Sequence, residues 1–482
     1  MKYISTRGLK AEKYGADAII EGLAADGGLY MPKVLPKIDI LDIDNLDYKA
    51  LCVKILEKFF PQFKKSDLEK ICQYDKFEIE EIVKVKSFED KSFLELFHGP
   101  TASFKDMALS LLPNLMEYSY RLKNRKQKTL IMTATSGDTG SAALEAFANK
   151  KNFKIAVFYP VAGVSEMQKL QMDTVKADNV YVYPIEGNFD DAQNAIKELF
   201  LDPEISFLAN KNNYRLSSAN SINIGRLISQ TVYYYYAYLY LMKAKIISDT
   251  KKLDISVPTG NFGNILAAII AKEMGLPIEN IICASNANNI LTEFIKTRKY
   301  DIKREFKRTL SPSMDIIISS NLERFLFLSA DYDHNIIKKS YNELKENNSF
   351  KWKENLPSYL KAMSVNDDST IKSIREAFER YNYLIDPHTA VAYEASKLSN
   401  NHCLIVSTAS PYKFADSILM AIDNENRIEN SLESKLKKIE KISASKMPNS
   451  IAKMLKVKTP EKEKIEISKI KTEIKKIMEE SI

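Results

Sequence analysis

The chain has 482 residues, of which 45% are hydrophobic and 28% charged, and it carries a net charge of +7. This length exceeds one compact core and predicts roughly two to four domains. There is no uncharged apolar stretch of about eighteen residues and no secretory leader pattern, so we expect a cytoplasmic protein that does not enter the membrane. The four cysteines and four histidines are scattered and basic residues form no patch, which argues against a metal site, a disulfide framework and nucleic-acid binding.

The composition divides the chain into four regions. Residues 1–85, with the turn DGGLYMP and a Lys- and Glu-rich helical stretch, predict a small N-terminal domain. Residues 86–127 and 230–425 predict a large ligand-binding domain, and residues 128–229 a smaller mobile α/β domain. Residues 426–482 predict a charged helical segment packed on the body.

Short β-branched runs alternate with amphipathic helical stretches through the middle of the chain. These runs are KTLIMTA (128–134), KIAVFYP (154–160), VYVYPI (180–185), DISVPT (254–259), IICAS (281–285) and CLIVST (403–408). Strands that are buried on both faces and separated by helices indicate parallel sheets. We therefore predict an α/β fold with two mainly parallel-sheet, three-layer domains, a ligand site between them and a small N-terminal domain.

One aromatic segment is assigned to packing and to no chemistry. The tyrosine run VYYYYAYLYL (232–241) invites an interpretation as a base-stacking surface. At helical spacing, however, such a run is far more often part of a core or an interface. We therefore assign this run to packing in the core or at an interface.

The first segment that indicates chemistry is HGPTASFKDMALSLL, residues 98–112. Lys105 follows Phe104 at the start of a predicted apolar helix, after a turn with Gly99 and Pro100. In a partly dry site at a helix N-terminus, desolvation and the helix dipole both favour the neutral, nucleophilic amine. A lone lysine is otherwise most often a surface residue, so this segment needs support from others.

Three further segments each join a predicted strand to a predicted helix: TSGDTGS (135–141), PTGNFGN (258–264) and STASPYKF (407–414). Such turns lie at the carboxyl edge of a parallel sheet, where ligands bind. Glycine allows backbone N–H groups to approach an anion, which the following helix N-terminus also attracts. Neither GxxxxGK[ST] nor GxGxxG is present. These loops predict an anion site but do not specify a nucleotide.

Together these segments resemble the threonine synthases, pyridoxal-phosphate enzymes of the tryptophan synthase β fold type. HGPTASFKDMA resembles their cofactor-lysine motif, and TSGDTG and PTGNFGN occur in the family's order. Further similar segments are GLAADGGLYMP (22–32), LSSANSINIGRLISQ (216–230), SPSMDI (311–316) and IDPHTAVA (385–392). The resemblance covers the chain from about residue 3 to residue 425. The family usually has His-Pro where this chain has Ser410-Pro411.

The resemblance implies which residues bind pyridoxal 5'-phosphate. Lys105 would carry the cofactor and later transfer protons. Thr408 would place its hydroxyl at the pyridine nitrogen, with Ser407 as the alternative. The backbone of the glycine loop would hold the cofactor phosphate, through Gly260, Asn261, Phe262, Gly263 and Asn264.

The resemblance also implies a substrate site. The substrate carboxylate would be held by Ser136, Gly137, Asp138, Thr139 and Gly140. The phosphate of the substrate would be bound by Ser221 and Arg226, with Asn223 nearby. A planar guanidinium suits this role because it makes two charge-assisted bonds to phosphate oxygens.

The activity implied is the conversion of O-phospho-L-homoserine and water to L-threonine and phosphate. Related threonine-synthase-like proteins instead eliminate phosphate to give a 2-oxo acid and ammonia, and the sequence separates the two reactions poorly. A non-catalytic binding protein of the same fold is the third hypothesis. The intact FKD, SGDTG and GNFGN segments argue against it.

Overall fold

We describe a computed structural model of residues 1–161, 164–187, 189–248, 252–423, 431–459 and 462–480. Within them the chain forms strands β1 to β16: Lys2–Ser5, Lys13–Tyr14, Tyr30–Pro32, Lys84–Ser87, Lys91–Glu95, Lys128–Ala134, Phe153–Pro160, Val180–Glu186, Tyr214–Ser217, Leu253–Pro258, Ile278–Ser285, Lys299–Asp301, Ser349–Lys351, Leu360–Ser364, His402–Ser407 and Ile465–Glu466. The α-helices, α1 to α21, are Gly15–Glu21, Tyr48–Phe59, Lys65–Ile71, Lys105–Leu109, Leu112–Leu122, Asp138–Phe147, Glu166–Thr174, Phe189–Leu201, Pro203–Lys211, Ile224–Ile228, Thr231–Lys243, Gly263–Glu273, Ile290–Thr297, Leu322–Ser329, His334–Asn347, Asp367–Tyr381, Pro387–Ala395, Ala415–Ile422, Leu432–Ser443, Asn449–Met454 and Ile470–Glu479.

A six-stranded sheet has the order β14-β11-β10-β15-β5-β4. All neighbouring strands are parallel except β4 and β5. Strands β10 and β15 are buried at every position, as their apolar runs predict. Because parallel strands end at the same edge, the loops after β5, β15 and β10 emerge side by side. These loops carry Lys105, STASPYKF and PTGNFGN.

A five-stranded, entirely parallel sheet has the order β16-β8-β7-β6-β9. The loop TSGDTGS follows β6, and the segment LSSANSINIGR overlaps the end of its neighbour β9. Residues 136–140 and 221–226 therefore leave the same edge of this second sheet. The predicted fold class, α/β with two mainly parallel sheets and a small N-terminal domain, is confirmed.

The N-terminal domain contains the antiparallel sheet β2-β1-β3. Arg7 fixes it to α14 through a bidentate contact with Glu323, with Nε–Oε1 and Nη2–Oε2 distances of 3.0 and 2.8 Å. The Sγ atoms of Cys52 and Cys72 are 3.2 Å apart in its core, although all four cysteines are free. Their separation along the chain does not reveal this contact.

The C-terminal segment packs on the body through apolar helix faces. Its charged overall composition does not reveal these faces. Leu436 and Ile439 are buried on one face of α19, and Ile474 and Ile477 on one face of α21. The segment also supplies β16, an edge strand of the second sheet that the sequence does not predict. In the part of the chain covered by the structure, no helix is both long and apolar enough to cross a membrane.

Candidate active site

Lys105 is the first residue of α4, at the end of a tight turn. Asp106 shapes this turn, because its carboxylate accepts hydrogen bonds from the N–H and the hydroxyl of Thr101, at 2.8 and 2.6 Å. Burial raises the pKa of Asp106 to about 6, although these hydrogen bonds oppose the shift. The N–H of Phe104 donates to the carbonyl of Thr408 at 2.7 Å, which attaches the turn to the end of β15.

The Lys105 amine is buried beside the carboxylate of Asp138, with an Nζ–Oδ2 distance of 3.3 Å. Burial lowers the pKa of Lys105; Asp138 opposes this, and Arg226 and Lys413 add to the lowering. The desolvation expected from the sequence is therefore present, and two nearby cations reinforce it. Helix α4 has only five residues, so its dipole contributes little. The site favours a neutral, nucleophilic amine.

Asp138 is the most highly connected side chain of the site. Its Oδ1 lies 2.7 Å from the Nζ of Lys413 and accepts from the Nε2 of Gln168 at 2.8 Å. Its Oδ2 accepts from the hydroxyl of Ser313 at 3.0 Å as well as from Lys105. Desolvation alone would raise the pKa of Asp138, but the two lysines outweigh it and hold the pKa well below its usual range. The carboxylate is thus ionised and bridges the two lysines.

Ser313 connects Asp138 to a buried histidine. The N–H of Ser313 donates to the Nε2 of His388 at 3.1 Å, and the Nδ1 of His388 lies 2.6 Å from Asp386 Oδ2. Asp386 caps α17 by accepting from the N–H groups of its first turn. The segments SPSMDI and IDPHTAVA therefore meet behind the Asp138 carboxylate and fix the serine that contacts it.

The glycine loop, residues 260–264, turns sharply into α12. Phe262 has a φ of 60°, a left-handed conformation that brings successive N–H groups to one side. The hydroxyls of Tyr233 and Tyr234 both donate to Asn264 Oδ1 at 2.6 Å. These tyrosines pack in the core, as the sequence predicts, but they also orient the loop, a role that the sequence interpretation did not assign. Within the described residues, the buried Nδ2 of Asn264 has no hydrogen-bond partner.

Among the described residues, the carbonyl groups of Gly260 and Asn261 in this loop accept hydrogen bonds, whereas the loop N–H groups have no acceptor. The carbonyl of Gly260 accepts from the Ser319 hydroxyl at 2.8 Å, and that of Asn261 from the N–H of Asn321 at 3.1 Å. No described residue accepts a hydrogen bond from the N–H groups of residues 260–263. The loop therefore presents donors to a ligand, which is the arrangement an anion requires.

Replacing Gly260 by alanine should destabilise the cofactor-free protein by about 1–3 kcal/mol, because the added methyl group needs a backbone shift. A Cβ at this position would lie 2.9 Å from the carbonyl oxygen of Ser313 and 3.1 Å from the Cα of Met314. Gly263→Ala is the matched control, since its nearest contact, the Cβ of Ser221, would be at 3.4 Å. Urea unfolding curves measure both variants. Equal stabilities would show that the close approach at Gly260 imposes no constraint.

Arg226 is a buried cation whose contacts leave room for an anion. Its Nη1 donates to the carbonyl of Ala219 at 2.6 Å, whereas its buried Nε has no partner in the described part of the chain. Burial lowers the pKa of Arg226 to about 10. Among the described residues no carboxylate forms a salt bridge with it. A desolvated guanidinium without a counter-ion is suited to bind a phosphate.

Ser221 lies against the glycine loop. Its Cβ is 3.4 Å from where a Cβ on Gly263 would be, and its hydroxyl accepts from Asn321 Nδ2 at 2.9 Å. The two predicted anion sites are therefore neighbours. Asn223 lies nearby, but its described side-chain bonds are structural: it caps α10 and donates to the carbonyl of Ile19 at 2.9 Å.

The loop of residues 136–140 lies at the start of α6. The hydroxyl of Thr135 accepts from the N–H groups of Gly137 and Gly140 at 3.0 and 2.9 Å, which folds the loop back on itself. The Asp138 side chain faces two lysines. The backbone N–H group of Asp138 is therefore the part of this residue that would contact a carboxylate ligand. Ser136 lines a cavity of about 470 Å³ that also reaches Lys413 and, on another wall, Arg308. This volume accommodates a small metabolite.

The junction after β15 is held against the Lys105 turn by backbone bonds. The N–H of Leu96 donates to the carbonyl of Ser407, and the N–H of Ser410 to the carbonyl of Ala102, both at 3.0 Å. Ser410, at the position where the family usually has histidine, is buried. Thr408 is buried beside this turn, and its hydroxyl makes no hydrogen bond within the described residues.

Sequence profiles of two kinds match the chain. A profile described as "Pyridoxal-phosphate dependent enzyme" covers residues 93–407, and one described as "Threonine synthase N terminus" covers residues 2–74. Threonine synthase of Pseudomonas aeruginosa is 36% identical, over 87% of this chain and 90% of that protein. The crystal structure of threonine synthase from yeast superposes with a TM-score of 0.87 at 32% identity, over 99% of this chain and 98% of that one. The chain belongs to the threonine synthase family.

Human "Threonine synthase-like 1" is also similar, with 37% identity over 92% of this chain. The chain spans only 62% of the length of that relative. A pyridoxal-phosphate-bound threonine synthase from Brucella melitensis has a TM-score of 0.85 at 32% identity, over the whole of both chains. The predicted family and the predicted cofactor, pyridoxal 5'-phosphate, are confirmed.

The described residues fit this cofactor. Lys105 supplies a buried amine with a lowered pKa, which is the form that reacts with an aldehyde. The glycine loop supplies N–H donors, and Asn264 adds its Nδ2 group; none of these donors has a partner among the described residues. Gly260 cannot carry a side chain without displacing the backbone of Ser313. This chain thus has a suitable amine after β5 and a suitable phosphate cradle after β10, two strands of the same sheet that are separated by β15.

Three site residues were missed by the sequence interpretation: Lys413, Gln168 and Ser313. Lys413 lies within STASPYKF, a segment that was selected for its position after a strand. The presence of a lysine in this predicted ligand-binding loop is the signal that could have identified Lys413 as a site residue. Gln168 lies in α7, outside every motif, and only the fold places it beside Asp138.

Proposed function

We propose that this protein is a threonine synthase, which converts O-phospho-L-homoserine and water to L-threonine and phosphate. The observation that carries the proposal is the buried amine of Lys105, whose pKa burial lowers, near the buried guanidinium of Arg226, with which no described carboxylate forms a salt bridge. The reaction needs a proton-transferring amine and a second anion site for the substrate phosphate. These two features supply both requirements.

We assign the cofactor contacts as follows. Lys105 carries the cofactor, the glycine loop of residues 260–264 binds its phosphate, and the Thr408 hydroxyl donates to the pyridine nitrogen. When bound, the cofactor supplies the electron sink that delocalises negative charge developing at the substrate Cα. A neutral hydroxyl such as that of Thr408 leaves the pyridine nitrogen largely unprotonated, which limits this sink.

We assign the substrate contacts to residues facing the same cleft. Residues 136–139 hold the substrate carboxylate at the N-terminus of α6 through backbone N–H groups other than that of Gly137, which donates to Thr135. Arg226 and Ser221 bind the ester phosphate that departs from Cγ, with Asn223 fixing their loop. Lys105 Nζ removes the proton from Cα and returns one there before the product leaves. Ser136 and Lys413 also line the cavity of about 470 Å³ described above.

The second candidate is phospho-lyase chemistry, in which the same substrate class loses phosphate and yields a 2-oxo acid and ammonia. The chain is 37% identical to a protein named threonine synthase-like 1, a name that differs from threonine synthase. This similarity supports the lyase as the alternative. Both reactions use the same lysine and the same phosphate site, so the described geometry supports both.

One assay separates the candidates. The purified protein is followed by its absorption spectrum while O-phosphohomoserine is added, and threonine, 2-oxo acid and phosphate are measured in the same sample. A yellow protein that releases threonine and phosphate in equal amounts supports the synthase. Phosphate with a 2-oxo acid moves the assignment to the lyase. A protein that stays colourless and inactive with added pyridoxal phosphate would contradict both.

A further inference from the structure

Two lysines, Lys105 and Lys413, contact the carboxylate of Asp138. Lys413 is fully buried and lies closer to the carboxylate, at 2.7 Å, than Lys105 does, at 3.3 Å. The Nζ of Lys413 also donates to the carbonyl of Thr101 at 2.8 Å, in the turn that leads into Lys105. Lys413 therefore contacts both the carboxylate that Lys105 faces and the backbone that presents Lys105.

The carboxylate has no freedom to turn away from either lysine. Gln168 donates to the oxygen that faces Lys413, and Ser313 donates to the oxygen that faces Lys105. Asp138 and Gln168 belong to helices beside the five-stranded sheet, whereas Lys105 and Lys413 follow β5 and β15 of the six-stranded sheet. Ser313 lies in a short 3-10 turn between β12 and α14. The cluster thus fixes the side chains of one sheet against those of the other at the point where Lys105 lies.

A buried lysine that faces only a carboxylate is stabilised as an ammonium, which is the wrong form for a nucleophile. A second cation on the same carboxylate removes much of that stabilisation while the hydrogen bond remains. We propose that Lys413 is a positioning residue for Lys105: it neutralises Asp138, so that the carboxylate orients the Lys105 amine without retaining it as an ammonium. The inference rests on the proposed role of Lys105 as the cofactor lysine.

The charged groups that face the cluster agree with this role. Lys105 faces Asp138, Arg226 and Lys413, and Asp138 in turn faces both lysines and His388. Of the three charges around Lys105, only Asp138 raises its pKa, whereas burial, Arg226 and Lys413 lower it. Removal of Lys413 and removal of Asp138 should therefore change the reactivity of Lys105 in opposite directions.

The test measures Lys105 itself. Full-length protein freed of cofactor is pulsed with pyridoxal phosphate and cyanoborohydride from about pH 6 to about pH 10, a range chosen around the ordinary lysine pKa. Peptide mass spectrometry then quantifies the modification at Lys105. In Lys413→Met we expect the midpoint of the pH profile to rise by about one unit, so that labelling near neutral pH slows roughly tenfold. In Asp138→Asn we expect the midpoint to fall.

Three further variants separate charge from folding. Lys413→Gln is neutral but can still donate to the Thr101 carbonyl, and it should shift the midpoint as Lys413→Met does. In the Asp138→Asn background, Lys413→Met should shift the midpoint less than it does alone, because only the direct repulsion between the two lysines remains. Lys462→Met, which removes the lysine 3.6 Å from Asp173, is the matched control and should leave the profile unchanged. Circular dichroism confirms that each variant is folded.

The outcomes are distinguishable. If Lys105 of the unaltered protein is not modified, the proposed function loses its cofactor lysine. If Lys105 is modified but folded Lys413 variants keep the original midpoint, the positioning role is overturned and the proposed function stands. Shifts of the same sign in the Lys413 and Asp138 variants also overturn it, since they indicate a general disturbance of the site.

Discussion

Replacing Lys105 by alanine is expected to lower turnover by at least about a hundredfold to ten-thousandfold, the range spanned by general acid–base catalysis alone. The variant loses the amine that carries the cofactor and the group that moves the Cα proton. The glycine loop remains, so the protein should still bind pyridoxal phosphate without a covalent bond. Turnover is measured by phosphate release, and covalent attachment by borohydride reduction followed by mass spectrometry.

A matched control is available in Lys154, another buried lysine. Its Nζ donates to the carbonyls of Ile477 and Glu480 at 2.6 and 2.8 Å, on the side of the second sheet that contacts the C-terminal helix. Lys154→Met should weaken the attachment of that helix and leave turnover by the folded protein near the original value. If Lys105→Ala retains turnover comparable to this control, the assignment of Lys105 is wrong.

The second large effect is expected at Arg226. Arg226→Ala should raise the apparent KM for O-phosphohomoserine roughly tenfold to a hundredfold, because hydrogen bonds to a charged group contribute about 1.5–3 kcal/mol. The cofactor spectrum should change little, since the glycine loop is intact. Steady-state kinetics and a cofactor titration on the same preparation measure the two effects separately.

Arg121→Ala is the control for Arg226, because Arg121 is an exposed arginine whose guanidinium stacks on Tyr118. It should leave KM unchanged. Loss of cofactor from Arg226→Ala with an unaltered KM would assign Arg226 to the cofactor phosphate. Ser221 lies against the glycine loop, so the two predicted phosphate sites adjoin. Separate readings of KM and of cofactor binding are therefore needed to assign Arg226 to one of them.

The sequence by itself determined the fold class, the family and the cofactor. The run KTLIMTA coincides with β6, and five other apolar runs each lie on a strand within a few residues. The strand predictions agree with the structure because strands buried on both faces need continuous apolar residues. This requirement is visible in the local sequence. Lys105 and the glycine loop were likewise selected from short contiguous motifs, and their roles remain predictions.

The tertiary structure decided which polar side chains face one another. Asp138 was selected as a ligand for a carboxylate, yet its side chain forms ion pairs with Lys105 and Lys413. Strand β16 and the contact between Gln168 and Asp138 also join residues that are distant in sequence. Such contacts depend on strand order and helix placement, which no local pattern encodes. Short motifs therefore indicated the chemistry. The arrangement of the two sheets determined which charged side chains surround Lys105.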